Sequence, residues 1–123
     1  MALGRTADEL LGLRADHAVV VLAYGRVHPY VRVLLQRAGE LGAHVVLITD
    51  TLGRRLTPSV AVQLTAGRGA PGLFATHGPT IVLVEALVLA VAAADPDRSA
   101  ESVATLNDLR QSLAGKRLDV DPD

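Results

Sequence analysis

The chain has 123 residues with a formal net charge of −1 at pH 7; 50% of its residues are hydrophobic and 20% are charged. These values fit one globular domain with one hydrophobic core and exclude a disordered chain. The balanced charge disfavours direct contact with nucleic acid or an anionic membrane, and the absence of cysteine excludes disulfides and thiol nucleophiles.

The N-terminal segment 1–14 is amphipathic and predicts a helix. Thr6, with Glu9 three residues later, resembles a capping box. The segment also carries acidic residues, which a signal peptide does not. The apolar segment 81–94 contains one charged residue, Glu85, and is too short to span a bilayer. We therefore expect a cytoplasmic protein without membrane contact.

The next part of the chain predicts a βαβ unit. HAVVVLAY (17–24) and AHVVLITD (43–50) are short apolar runs, typical of buried strands. GRVHP (25–29) breaks the first run, and YVRVLLQRAGELG (30–42) has helical spacing. A strand, a crossover helix and a second strand place two parallel strands in a sheet that is covered on both faces.

The rest of the chain predicts a third strand and two more helices. In chain order these are a strand at 59–66, a glycine-rich loop at 67–78, an apolar helix from Pro79 to about Ala94, a last helix capped by Ser99 and ending at Gly115, and a frayed polar tail at 116–123. We expect residues 1–123 to form a single α/β domain with three α-β-α layers around a parallel sheet, similar to flavodoxin.

Strand-to-helix loops of a parallel sheet share one edge, where ligands bind in open α/β folds. Four arginines and one nearby acid, Asp50, lie in these loops, so the local formal charge is four minus one, or +3. The crossover helix also directs its N-terminal amides towards this edge. An anionic small molecule is the expected ligand. The predicted binding residues are Tyr24, Gly25, Arg26, Val27, His28, Arg54, Arg55, Arg68 and His77.

Within this set Arg26 is the expected principal contact, because it follows Gly25 in the turn that enters the helix. Gly25 itself predicts a positive φ or a close backbone approach. His28 and His77 are isolated imidazoles without a carboxylate or nucleophile motif, so we expect no catalytic residue. No histidine pair has metal-ligand spacing, and neither a metal nor another cofactor is expected. Glu85, the charged residue of the apolar segment 81–94, is expected to pair with an arginine or to face a subunit boundary, and a buried general base is the alternative.

The order of these segments resembles a known family. AVVVLAYGRV, LLQRAGELGAHVVLITDTLGRRL, SVAVQLTA and HGPTIVLVEALVLAVAA are together similar to the SIS (sugar isomerase) domain that ends RpiR/MurR-type bacterial transcription regulators, over roughly residues 15–113. The resemblance implies a five-stranded parallel sheet between helices, a dimer, and a phosphosugar as the sensed ligand. In that family a helix-turn-helix domain precedes the SIS domain.

The chain departs from the family pattern in two respects. The family's first two strands, their phosphate-facing turn and a helix-turn-helix have no counterpart before Asp16, so we expect a partial SIS domain. The family's phosphate loop reads approximately S-x-S-G-x-T. Aligned on Gly25, its hydroxyl positions are Leu22, Tyr24 and Val27, none of which is an aliphatic hydroxyl.

Three functions follow as hypotheses. The first is a non-catalytic effector-binding and dimerisation domain of a transcription regulator, which binds a phosphosugar or another anion. The alternatives are a phosphosugar isomerase and a purely structural oligomerisation module with a vestigial site. Because the helix at 81–94 is apolar on every side, a homodimer or larger homo-oligomer is expected, with Val88 and Val91 in the interface.

Overall fold

The computed structural model describes residues 3–50, 56, 60–69 and 74–114. The chain divides into two compact units, Met1–Ile81 and Val82–Asp123, and the expected single domain stays a prediction. The described elements in chain order are α1 (Leu3–Leu11), β1 (Ala18–Leu22), α2 (Pro29–Leu41), β2 (His44–Thr49), β3 (Val62–Thr65), α3 (Gly78–Ala94) and α4 (Pro96–Ala114).

The three strands form a parallel sheet in the order β1-β2-β3. The predicted βαβ unit and the α/β fold class are thereby confirmed. Strand β1 pairs with β2 from Ala18↔His44 to Leu22↔Ile48, and β2 pairs with β3 from Val46↔Val62 to Thr49↔Thr65. The strands are shorter than the apolar runs that predicted them, because the ends of those runs turn into the loops at the sheet edge.

Helix α2 connects β1 and β2 and begins and ends as the sequence predicts. Pro29 occupies the start of the helix, where its missing N–H has no carbonyl partner to lose. Gly42 ends it in the left-handed conformation with φ of 73°, and its N–H donates to the carbonyls of the last turn. These two residues fix the positions at which the chain enters and leaves α2.

The main hydrophobic core lies between α2 and one face of the sheet. Val31, Leu35 and Ala38 lie along one side of α2 and are each at most 4% exposed. They belong to one cluster with Val45 and Leu47 of the central strand. Full burial of one valine or leucine side chain stabilises the fold by about 1.5–3 kcal/mol. The helix therefore fixes the position of the loop that precedes it.

The opposite face of the sheet is also aliphatic but is less covered. Side chains at paired positions of parallel strands lie on the same face. The register therefore forms two rows across the sheet, Val20–Val46–Val62 and Leu22–Ile48–Leu64. Ile48 is buried, whereas Val20, Leu22 and Val62 are nearly half exposed.

Two helix starts differ from the sequence predictions. Thr6 lies inside α1 (Leu3–Leu11) rather than at its start, so the capping-box prediction is wrong. Ser99 lies inside α4, where its hydroxyl donates to the carbonyls of Ala92 and Asp95. The cap of α4 is Asp95, whose carboxylate accepts the N–H of Arg98 at 3.1 Å.

The second unit consists of most of α3 and of α4. The side chains of Val82, Val88, Leu89 and Val91 on α3 are all more than 60% exposed. Within the described part of the chain no single helix is long and apolar enough to cross a membrane; α3 and α4 reach that length and composition only together, across a 110° bend. The predicted tail at 116–123 lies outside the described residues.

Candidate functional site

The loop that leaves β1 makes a tight turn at the carboxyl edge of the sheet. The N–H of Arg26 donates to the carbonyl of Tyr24 at 2.8 Å, so Gly25 is the central residue of a three-residue turn. The φ of Gly25 is 70°, in the region that favours glycine. A Cβ at this position would lie 3.1 Å from Nη2 of Arg68. The positive φ predicted for Gly25 is confirmed, and the close neighbour of its backbone is the side chain of Arg68.

An ion pair joins the loops that follow β2 and β3. Nη2 and Nε of Arg68 lie 2.8 and 2.9 Å from Oδ2 of Asp50. The other carboxylate oxygen, Oδ1, accepts the N–H of Gly25 at 3.3 Å. The Asp50 side chain is 12% exposed and that of Arg68 30%. The three loops at this edge are therefore held together through one carboxylate.

The ring of Tyr24 forms the wall of the site. The guanidinium carbon of Arg68 lies 5.3 Å from the ring centroid, a cation–π distance. The imidazole of His77 meets the same ring edge-on at 5.2 Å between centroids. The phenol of Tyr24 makes a short hydrogen bond with the hydroxyl of Thr80, which is 5% exposed. The backbone N–H of Thr76 also donates to the carbonyl of Arg68 at 2.9 Å.

The structure brings together four of the predicted site residues, Tyr24, Gly25, Arg68 and His77. Arg26 is exposed beside the Gly25 turn. Val27 is partly buried against the hydrophobic core. His28 precedes α2 without a side-chain capping bond, and its ring lies 4.6 Å from that of Tyr30. Arg54 and Arg55 lie outside the described residues.

Asp50 and Thr80 belong to the cluster, although neither was predicted as a site residue. From the sequence, Asp50 is recognisable as one negative charge at this edge. A carboxylate directly after a buried strand is the signal that could have identified it, since strand ends carry functional groups in this fold class. Thr80 has no comparable signal, because its contact with Tyr24 joins positions 56 residues apart.

The chemistry available in this cluster is recognition through hydrogen bonds and charge. Arg68 can offer five N–H donors and uses two of them on Asp50. Among the described residues no group of three or more carboxylate or histidine side chains could hold a metal ion, so the expected absence of a metal stays a prediction. Glu85 on α3 is exposed, a position that does not fit a buried general base.

A second aspartate–arginine pair lies outside this cluster. Arg14 donates from Nε and Nη2 to the two carboxylate oxygens of Asp16 at 3.0 Å, with both side chains more than two-thirds exposed. This hydrogen bonding lowers the pKa of the Asp16 carboxyl. Asp16 precedes β1, whereas the candidate site follows the strands.

Comparison with known proteins identifies the fold. No protein-family model matches the chain, and no curated protein matches it. Among solved structures, the chain is similar to the sugar isomerase domain of an RpiR transcription factor from Sphaerobacter thermophilus. The TM-score is 0.70 at 18% identity, over 85% of this chain. The chain spans 58% of the length of that structure. The predicted SIS-like fold is thereby confirmed.

Proposed function

We propose that this chain is a non-catalytic effector-binding domain of the SIS type, part of a system that regulates transcription. The observation that carries the proposal is its structural likeness to the sugar isomerase domain of a transcription factor. In such a domain the ligand binds at the carboxyl edge of the parallel sheet, where Tyr24, Asp50 and Arg68 meet.

An anionic small molecule, such as a phosphosugar, is the ligand that this edge favours. Arg26 and Arg68 both lie there, and the turn at Gly25 leads directly into α2. Arg26 is exposed beside that turn and supplies the principal charged contact. Arg68 supplies a second guanidinium, held against Tyr24. A charge-assisted contact of this kind contributes about 1.5–3 kcal/mol.

A binding role is favoured over catalysis because the described site lacks a matched acid and base. An isomerase needs two groups that exchange protons with the same substrate. Here the Asp50 carboxylate is engaged with Arg68 and Gly25, and the His77 ring packs edge-on against the ring of Tyr24. The alternative of a phosphosugar isomerase therefore has little support from these contacts.

Self-association is the second part of the proposal. The exposed aliphatic side chains of α3 continue onto α4, where Val103 and Leu109 are more than half exposed. A groove of about 660 Å³ between the two helices is lined in part by Val88, Val91 and Val103. Apolar surface of this kind marks protein interfaces. A homodimer that buries about 800 Å² per partner would have an ordinary stable interface.

The binding role is tested by titrating glucose 6-phosphate, glucose and inorganic phosphate into the protein, followed by calorimetry and thermal shift. We expect glucose 6-phosphate to bind and Arg26→Ala to weaken it about ten-fold or more, the loss of one charge-assisted contact. Arg110→Ala removes an exposed arginine of α4 and should leave the affinity unchanged. Equal affinities of the two variants would contradict the role of Arg26.

An aldose–ketose turnover assay with glucose 6-phosphate distinguishes the isomerase hypothesis from the non-catalytic one. Turnover above the buffer rate would contradict a non-catalytic domain. If glucose 6-phosphate, glucose and inorganic phosphate all fail to bind, the chain is better described as a purely structural oligomerisation module.

A further inference from the structure

The N–H groups that are best placed to bind an anion at this edge already bind one, the carboxylate of Asp50. Two N–H groups of Arg68 and the backbone N–H of Gly25 converge on the carboxylate of Asp50. Carboxylate and phosphate groups bind arginine through the same planar fork of N–H donors. The Asp50 carboxylate therefore stands where an external anionic group would find its donors.

We propose that Asp50 is an internal competitor for the anionic group of the ligand, and that the ligand binds by displacing it from Arg68 and the Gly25 turn. This inference rests on the proposed function, because it concerns the same site. It adds that Asp50 controls how far Arg68 is available to the ligand. Asp50 then sets the concentration of ligand at which the site is filled.

The geometry around Arg68 favours exchange of one anion for another over movement of the arginine. The guanidinium is held over the ring of Tyr24, 5.3 Å from its centroid. Tyr24 in turn is bonded to the buried Thr80 and contacts His77. The cation is thus positioned by groups other than Asp50, so it can remain in place when the carboxylate leaves.

Displacement lowers the apparent affinity for any anion. The ligand binds only the fraction of molecules in which the carboxylate has moved away, and its apparent dissociation constant rises in proportion. A carboxylate that stays nearby also repels a second anion. Simple anions bind weakly as a result, and a ligand with additional contacts to the site displaces Asp50 more readily.

The test is the affinity for inorganic phosphate and glucose 6-phosphate in Asp50→Asn. Asparagine has the same shape and still accepts hydrogen bonds, but it carries no charge. We expect both probes to bind at least ten-fold more tightly than to the unaltered chain, since one charged competitor is removed. Arg68→Gln in the Asp50→Asn background should abolish that gain.

The chain offers a matched control at the other end of the sheet. Asp16→Asn removes the same charge from an aspartate that is also bonded to an arginine through two N–H groups. It changes the net charge equally but should leave both affinities within two-fold. Asp50→Glu, which keeps the charge, should show no gain. Asp50→Ser is a second uncharged variant for use if Asp50→Asn does not fold.

The outcomes separate this inference from the proposed function. If the unaltered chain binds glucose 6-phosphate and the folded uncharged variants bind no more tightly, Asp50 is only a structural partner of Arg68 and the inference is wrong. If neither the unaltered chain nor the variants bind any probe, the proposed function fails as well. If Asp16→Asn increases the affinities as much as Asp50→Asn does, the effect comes from the net charge of the chain, and the inference is wrong.

Discussion

Replacing Gly25 by alanine tests the geometry of the site through stability alone. A non-glycine residue at a φ of 70° costs about 1–2 kcal/mol. The new Cβ would also lie 3.1 Å from Nη2 of Arg68, which is held 2.8 Å from Asp50. Shifting Nη2 weakens a charge-assisted hydrogen bond, and we assign about 1 kcal/mol to this partial loss. We expect Gly25→Ala to lower the free energy of unfolding by about 2–3 kcal/mol.

Gly42 provides the control for a positive φ without a close neighbouring side chain. Its φ is 73°, and a Cβ there would meet no atom within 4 Å. Gly42→Ala should therefore cost only the conformational part, about 1–2 kcal/mol. In an Arg68→Gln background the shorter side chain should relieve the contact, so Gly25→Ala should lose the part of its cost that comes from Arg68.

Unfolding can be followed by the near-ultraviolet circular dichroism of tyrosine. The chain has two tyrosines and no tryptophan, and both Tyr24 and Tyr30 lie in the unit Met1–Ile81. The signal therefore reports on the unit that contains the site. A difference of 1 kcal/mol corresponds to about 4–8 °C in Tm for a unit of this size. Equal costs of the two alanine variants in the unaltered background would refute the contact with Arg68.

Three further substitutions test other parts of the structure. Leu47→Ala opens a cavity at a fully buried position of β2 and should lower the free energy of unfolding in urea by about 2–5 kcal/mol. Leu11→Ala, at a position that is 78% exposed, should lower it by less than about 1 kcal/mol. Asp95→Ala removes the cap of α4 and should cost about 0.5–2 kcal/mol, visible as lost helical circular dichroism on heating. Val88→Asp places a charge on the exposed apolar side of α3, and sedimentation should show a shift from dimer to monomer; an unchanged sedimentation coefficient would place the interface elsewhere.

The strands, the crossover and their direction could be predicted because each depends on local pattern. The apolar runs before Tyr24 and Asp50 and the glycine at position 42 are signals that act over a few residues. The start of α4 had an equally local signal, since Asp95 followed by Pro96 is a typical cap and first turn. Ser99, the predicted cap, lies one turn further along the helix, where its hydroxyl donates to the carbonyls of Ala92 and Asp95.

The side-chain contacts of the site could be predicted only in part. The sequence placed Gly25, Arg68 and His77 at one edge, because parallel strands bring their ends together. It did not show that Arg68 would pair with Asp50, or that Tyr24 would bond to Thr80. These contacts depend on how loops of different length fold back at the edge, and no short-range pattern encodes that.

The proposed binding of a small anion at the loops around Gly25 and Arg68 can be tested directly. The most direct measurement is the amide chemical-shift map of the ¹⁵N-labelled chain during titration with glucose 6-phosphate, with glucose as the uncharged reference. We expect saturable shifts concentrated at Gly25, Arg26, Asp50, Arg68 and His77, with little change at Asp16 and His44 at the opposite ends of the strands. Saturable shifts confined to the amino ends of the strands or to α4, or no shifts at millimolar concentrations, would contradict the account.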